Sequence, residues 1–486
     1  MIDRFAPVLF ILGILIAGFG GLMLLPLSIA WLNADGAQSA YDEAVVITVC
    51  TGVLLALSMR RRQREMRVRE SFLLVALIWS LLPAFGALPL YLHISGLSWT
   101  DAYFEAVSGL TATGATVLSG LDDLPLSINF WRTFMHWVGG LGVVVLAVAI
   151  LPLLGFGGRS MFKAETPGPM KDSKITPRIA ETAKGLWVVY VLLTVTCAVA
   201  LNQAGMLPWD ALMHAFSIMG LGGFSTKDAS LGHFDSLEIE LVVIFFALLA
   251  GINFSTHFLA LSKRSLRDYR FDVEAHYFLG FLAVSSLALA VYLWPEEVYE
   301  DFPTTFRYVA FHSVSLATSL GFATTDYAQW PLFGQLWILF LGSFVACSGS
   351  AGGGIKMVRA VVLYKQVFRE LMRAMHPRSL QTVRFGRTVI PDQVLHSILG
   401  FLFIYVVTIV SLTLLLIATH LDVITAFSAV VACLNNTGPG LNLVGPTTTY
   451  AVLSDFQTWV CTWAMLLGRL EIFTLLVILM PAFWRR

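Results

Sequence analysis

Four short stretches of the chain end at a glycine flanked by small or hydroxyl residues: AYFEAVSGLTATGAT (102–116), ALMHAFSIMGLGGFST (211–226), YVAFHSVSLATSLGFATTD (308–326) and AFSAVVACLNNTGPG (426–440). They align on Gly114, Gly223, Gly321 and Gly438, which lie 109, 98 and 117 residues apart. Six positions upstream stand Ser108, Ser217 and Ser315, with Ala432 in the fourth stretch. Thirteen positions upstream stand Asp101 and Asp210, where a cap and a negative charge favour the start of a short helix. An apolar segment of about 10 residues cannot cross a bilayer but can enter it and return. Its non-helical end must then line a cavity or face an ion, because lipid satisfies no backbone group. Four such ends around one axis form a ring of carbonyls able to replace the hydration shell of a potassium-sized cation. The helix C-termini add partial negative charge, and glycine permits positive φ and close approach. Taken singly, each glycine reads as a tight turn; four in equivalent register read as a pore.

The elements that would hold these turns are membrane spans. Hydrophobic residues make up 57% of the 486 residues and charged ones 13%, and the mean hydropathy is +0.77. A soluble domain carries about twice that share of charge, so a cytosolic enzyme, a disordered scaffold and a nucleic-acid binder are excluded. Lys and Arg balance Asp and Glu at 31 each, leaving no bulk field for a polyanion. The cysteines (Cys50, Cys197, Cys347, Cys433, Cys461) sit in apolar stretches without paired spacing and read as small core residues. The histidines show no metal-ligand spacing and read as structural. Apolar runs near 5–32, 44–59, 71–95, 130–156, 185–205, 236–262, 274–295, 330–362, 394–420 and 456–484 predict ten spans. The first is too long for a signal peptide and is kept as a span. Of the 31 Lys and Arg, 27 fall on alternating loops of one side, in segments 60–69, 158–184, 263–270 and 356–387 and at the two ends. That side is cytoplasmic by the positive-inside rule, so both termini are inside. Acidic residues from Asp35 to Asp326 crowd the opposite loops, where they either concentrate cations at a pore mouth or only solubilise the loops.

The pattern resembles the Trk/Ktr/HKT superfamily of potassium transporters, and within it the bacterial TrkH type, over essentially the whole chain. The resemblance implies an all-α integral membrane protein with four pseudo-repeats of helix, pore helix, filter loop and helix around one pore. An N-terminal hairpin (1–69) precedes the repeats at 70–184, 185–272, 273–388 and 389–486; such a hairpin is similar to the Trk type and absent from the shorter Ktr type. The filter segments map onto Thr111-Ala112-Thr113-Gly114, Gly220-Leu221-Gly222-Gly223, Thr318-Ser319-Leu320-Gly321 and Asn435-Asn436-Thr437-Gly438. None matches the TVGYG of tetrameric potassium channels, so fewer ion sites and looser discrimination against Na⁺ or Rb⁺ are expected.

Two features lie beyond the filter. The run ACSGSAGGGIKMVR (346–359) places Gly349, Gly352, Gly353 and Gly354 close together, each costing about 1 kcal/mol against alanine in a helix. It is not a phosphate loop, because Lys356 is misplaced and no Ser or Thr follows it. It reads either as close helix contact or as an irregular segment under the filter, and the family resemblance implies an intramembrane gate. Arg469, near the middle of the last apolar run, costs about 2.5–3.5 kcal/mol at the centre of a bilayer and must face water or a partner. Glu471, two residues on, points from a different helix face. A structural ion pair is one reading; the resemblance implies a second, a cationic barrier below the filter.

The resemblance further implies K⁺ as the transported ion, inward flow across the bacterial inner membrane, a homodimer, and gating by a cytosolic TrkA-type ring of nucleotide-binding domains. The chain has no Walker or GxGxxG motif on a strand, so nucleotide is expected on that partner. The basic segment 364–387 is expected to meet anionic lipid headgroups or to dock that subunit. Rival readings are a Na⁺ or mixed-cation transporter and a proton- or Na⁺-coupled symporter. A membrane enzyme would need His–carboxylate pairs that the outer loops lack.

Overall fold

The computed structural model describes residues 2–62, 64, 66–140, 142, 179–378, 381–386 and 388–485. The basic segment 158–184 and the apolar run 130–156 lie largely outside them. Helices α1 (Ile2–Leu22), α2 (Leu24–Asn33) and α3 (Gln38–Met59) form the N-terminal hairpin, and α4 (Val68–Gly86) with α5 (Leu88–His93) leads out of it. Then come α6 (Trp99–Thr111), α7 (Leu126–Gly140), α8 (Ile179–Gln203), α9 (Pro208–Gly220), α10 (Leu237–Gly251), α11 (Phe254–Lys263) and α12 (Arg267–Phe271). Next are α13 (Val273–Leu293), α14 (Phe302–Ala317), α15 (Leu332–Phe344) and α16 (Met357–Met375). A two-residue antiparallel ribbon pairs Phe385 with Thr388. The chain closes with α17 (Asp392–Ile417), α18 (Val423–Leu434), α19 (Asp455–Arg469), α20 (Phe473–Leu479) and α21 (Pro481–Trp484).

Among the described residues, six helices are long and apolar enough to cross a membrane, or eight if two bent pairs each count as one span. The sequence predicts ten, of which the run at 130–156 lies largely outside the described residues. Within the runs at 236–262 and 456–484 the helix breaks, with α10–α11 bent by 93° and α19–α20 by 110°. The run at 330–362 is α15, an irregular segment and the start of α16. Hydropathy measures how much apolar chain there is, not whether its axis stays straight.

The four short helices α6, α9, α14 and α18 are the cores of the glycine stretches, and their buried residues run almost unbroken to the C-terminal end. Asp301 and Asp422 are N-caps, accepting from the Thr304 and Thr425 amides. Asp101, expected to precede its helix, instead lies in the first turn, with Ser98 as cap. The helix after each glycine packs against its own short helix and the next one: α7 on α6 and α9, α10 on α9 and α14, α15 on α14 and α18, and α19 on α18 and α6. The chain thus closes on itself.

Close packing of small residues holds α1 against α3 within the hairpin, and α1 also packs on α4. A Cβ on Gly13 would press on the Ala56 amide, and one on Gly52 would press on the backbone of Ala17. Of the cysteines, Cys50 on α3 is exposed rather than buried, and the other four are buried. Gly52→Leu is expected to prise α1 from α3, at about 1–3 kcal/mol for overpacking, and to lower the melting midpoint in detergent by a few degrees. An unchanged midpoint would mean that the crossing carries no stability.

Candidate functional site

All four short helices end in the same way. The residue two before each glycine is left-handed: Ala112 (φ 53), Leu221 (φ 53), Ser319 (φ 66) and Asn436 (φ 53). Its amide donates back to the carbonyl three residues earlier, on Gly109, Ile218, Leu316 and Cys433 at 3.0–3.2 Å. The next amide donates to the carbonyl five residues back: Thr113 to Ser108, Gly222 to Ser217, Leu320 to Ser315 and Thr437 to Ala432, at 2.7–3.0 Å. These two bonds make a Schellman cap, normally built on glycine. Here non-glycine residues hold the left-handed position at roughly 1–2 kcal/mol each, so the surroundings must enforce it. The aligned serines reinforce two copies: Ser217 Oγ donates to Phe224 O (2.6 Å) and Ser315 Oγ to Phe322 O (2.7 Å).

The four glycines follow with φ of 86°, 78°, 78° and 88°. They close a ring head to tail. A Cβ on Gly114 would strike the Gly222 carbonyl, one on Gly223 the Leu320 carbonyl, one on Gly321 the Thr437 carbonyl, and one on Gly438 the Thr113 carbonyl. Each glycine therefore packs on the residue before the next glycine, and the fourth returns to the first. Gly114, Gly223 and Gly321 keep partial solvent contact, while the rest of the four segments is buried. Backbone, not side chain, thus lines the opening. Behind it, Thr111 and Thr113 share a hydroxyl contact at 2.7 Å, Asn436 Nδ2 donates to Thr113 Oγ1 (2.8 Å), and Tyr405 Oη donates to Asn435 Oδ1 (2.7 Å).

The glycine-rich run lies directly against this ring. No helix forms between Phe344 and Met357. A Cβ on Gly352 would sit 2.7 Å from the Thr318 carbonyl, and one on Gly353 would collide with the Asn435 carbonyl. The Gly353 amide donates to Ser319 Oγ at 3.2 Å. Gly349 and Gly354 are left-handed, at φ 74 and 79. Gly349 packs on the Asn253 side chain and accepts from the Phe254 amide, at the break between α10 and α11. Lys356 is buried, and its Nζ donates to Gly352 O.

Arg469 is not in mid-helix but is the last residue of α19, where the chain turns through Glu471 (φ 51) and Ile472 (φ 56). It donates to Ala351 O (3.0 Å) in the loop and to Gly139 O and Gly140 O (the latter 3.1 Å) at the end of α7. Glu471 pairs instead with Arg359 at 2.6 Å. The guanidinium thus sits among carbonyls at a helix C-terminus, where a cation is favoured. On the opposite face, several of the acidic loop residues are engaged. The Asp228 carboxylate accepts from the Gly120 and Leu121 amides, and Lys227 pairs with Asp122 at 3.2 Å. Burial raises the Asp122 carboxyl, but the Asp228 amide and the Lys227 ammonium outweigh it and hold it below the usual range.

A ring of backbone around one axis, with an irregular loop packed against it, suits passage of a bare cation. The family model for TrkH, described as a cation transport protein, matches residues 38–486. The chain belongs to the TrkH family. It is 44% identical over 483 residues to the Trk system potassium uptake protein TrkH of Salmonella typhimurium, covering 99% of this chain and 100% of that one. It is 47% identical to the protein of the same name from Halomonas elongata, covering 99% of each. The crystal structure of the potassium transporter TrkH from Vibrio parahaemolyticus matches with a TM-score of 0.89 at 41% identity, over 100% of both chains. The chain is accordingly a multi-pass membrane protein of the TrkH fold.

The sequence alone does not point to the residue that pins the loop. Glu274, near the start of α13, accepts with Oε1 from the Ser348 amide (2.8 Å) and the Val358 amide (3.0 Å), so one carboxylate oxygen holds both sides of the glycine run. Its partners lie 74 and 84 residues away, and no local motif marks it. Glu274→Ala leaves both amides without this acceptor. Their hydrogen exchange should accelerate about ten-fold, the measure of a net hydrogen bond of about 1.4 kcal/mol. Unchanged exchange would mean that the loop is held elsewhere.

Proposed function

We propose that this chain carries K⁺ inward across the bacterial inner membrane. The filter would be the backbone carbonyls of Thr111–Gly114, Gly220–Gly223, Thr318–Gly321 and Asn435–Gly438. The observation that carries the reading is the head-to-tail packing of the four glycines on each other's neighbours. Potassium uptake is what the names of the relatives state. A ring of carbonyls takes over the hydration shell of an entering ion, and the partly negative ends of α6, α9, α14 and α18 favour a cation there. The segment Gly349–Lys356 is the gate, and Arg469 adds a cationic barrier beneath the filter. Two unit charges about 10 Å apart at an effective dielectric of ~20 repel by about 1.7 kcal/mol, enough to slow a resting ion.

Both termini and the basic segments 60–69, 263–270 and 364–387 face the cytoplasm in this reading. A TrkA-type ring of nucleotide-binding domains docks there and draws the loop aside, and two copies of the chain pair as a homodimer. Helix α16 supports a surface position, since Tyr364, Val367, Phe368 and Leu371 form one exposed apolar row while Arg369 pairs with Asp392.

A potassium-uptake-deficient bacterium tests the filter. With the regulatory subunit supplied, the parent chain should restore growth at limiting K⁺, and Gly114→Ser, Gly223→Ser, Gly321→Ser and Gly438→Ser should each abolish it or admit Na⁺. Four well-inserted serine variants that behave like the parent would place the pore elsewhere. The gate has its own test in ⁸⁶Rb⁺ uptake without the regulatory subunit. Deleting Ser348–Gly353, or replacing Arg469 with Ala, should raise uptake, by about ten-fold for the arginine on the barrier above. Unchanged uptake by inserted protein would remove both from the gate.

A further inference from the structure

One register position has the same role in each glycine stretch without having the same residue. Nine positions before the glycines stand Glu105, His214, His312 and Ala429. The three polar ones are fully buried. Each reaches past the glycine to the chain two or three residues beyond it. Glu105 Oε2 accepts from the Val117 amide at 3.1 Å, and the carboxylate also accepts from Thr116 Oγ1 at 3.0 Å. His214 Nε2 meets Ser225 Oγ at 3.0 Å, and His312 Nε2 accepts from the Thr324 amide at 3.4 Å. Both rings use Nδ1 on a carbonyl one turn back, Asp210 O and Tyr308 O, each at 2.8 Å. That contact puts the proton on Nδ1 and leaves Nε2 as an acceptor. In the fourth stretch, where Ala429 cannot reach, the preceding Ser428 takes over: its Oγ accepts from the Leu441 amide at 2.9 Å.

The first strut also reaches the second segment. Arg132 is fully buried, pairs with Glu105 at 2.8 Å, and donates through Nη1 to Ser225 O at 3.3 Å. The guanidinium lies over the Phe224 ring at 4.4 Å. The outer ends of segments one and two are therefore held by one buried ion pair, which is strongly destabilising to break from either side.

We infer that Glu105, His214, His312 and Ser428 are positioning residues that fix the width of the filter's outer end and so set its discrimination between K⁺ and a smaller cation. This rests on the reading of the glycine ring as the filter. In the snug-fit account of selectivity, a carbonyl ring prefers the larger ion only while it resists closing around the smaller one. The Schellman caps hold each segment on its inner side, and the struts hold it on the outer side. The glycine lies between two fixed points.

The test uses the full chain in liposomes, measuring ⁸⁶Rb⁺ uptake against competing Na⁺, with melting midpoint and elution profile as folding controls. His312→Leu and Ser225→Ala each remove a strut, the second without opening a large cavity. Both should lower discrimination about three- to ten-fold, the size of one net hydrogen bond, with maximal Rb⁺ uptake kept. His312→Gln, whose amide oxygen can replace Nε2 as acceptor, should restore it. Folded His312→Leu and Ser225→Ala proteins with parental discrimination would overturn the proposal, as would a Gln variant no better than Leu. If His312→Leu fails to fold, Ser225→Ala decides alone. Gly321→Ser, run alongside, separates the two readings. If it alters discrimination and the strut variants do not, the ring is the filter and the struts are only structural. If none alters it, the ring itself is not the filter.

Discussion

Everything in this molecule depends on what happens to a helix that stops inside a bilayer. Its last carbonyls have no water to turn to, and each one left bare costs several kcal/mol. The chain meets that demand four times with the same pair of cap bonds, which use the amides just past the helix to satisfy carbonyls one turn back. The cap consumes the local amides. The carbonyls that follow have no partner from their own helix, and four sets of them meet where the glycines pack together. An opening lined by backbone is thus the necessary complement of four buried caps. Glycine is required twice over, by its positive φ and by a neighbouring carbonyl that occupies the place of a Cβ.

The same constraint explains the breaks beside the glycine-rich loop. Helices α10, α15 and α19 all end beside the loop, and their freed groups are taken up by one another. The Gly251 carbonyl accepts from the Cys347 amide, the Gly349 carbonyl from the Phe254 amide, and the Ser343 carbonyl from the Ile355 amide. Arg469 covers the carbonyl ends of α7 and one loop carbonyl. The loop therefore touches three of the repeats, through Leu221, Thr318 and Asn435, and Arg469 bridges it to the α7 terminus of the first. Its lack of regular structure is tolerable because the backbone groups of its neighbours are equally in need of partners.

The glycine register was legible because a short apolar stretch ending at a glycine among small or hydroxyl residues leaves a signature within about 15 residues, repeated at wide spacing. The irregular loop was legible because four close glycines cannot sustain a helix. Where the spans break was not, since hydropathy is blind to the bends at Asn253 and at Leu470–Ile472. Glu274 was not legible either: a lone glutamate at the start of an apolar run reads as a helix-start charge, and α13 does place it there. Only the fold brings its carboxylate to a loop 74 residues later. The struts occupy a middle ground. Glu105, His214 and His312 share one register position, yet their side chains differ, so alignment on residue type passes over them and alignment on position does not.

That difference between repeats is itself informative about building a pore from one chain. In a ring of identical subunits, a side chain beneath the axis appears four times, and four guanidiniums at the site of Arg469 would repel one another and crowd the passage. Here the backbone geometry is repeated while the side chains are not. One repeat contributes the loop, another the arginine that bonds to it, and a third the asparagine at its far end. The caps and glycines must agree in all four copies because the ring closes only if each segment fits the next. Nothing below the ring has to agree. A single chain can therefore carry an asymmetric loop against the ring without disturbing the pseudo-symmetry on which the ring depends.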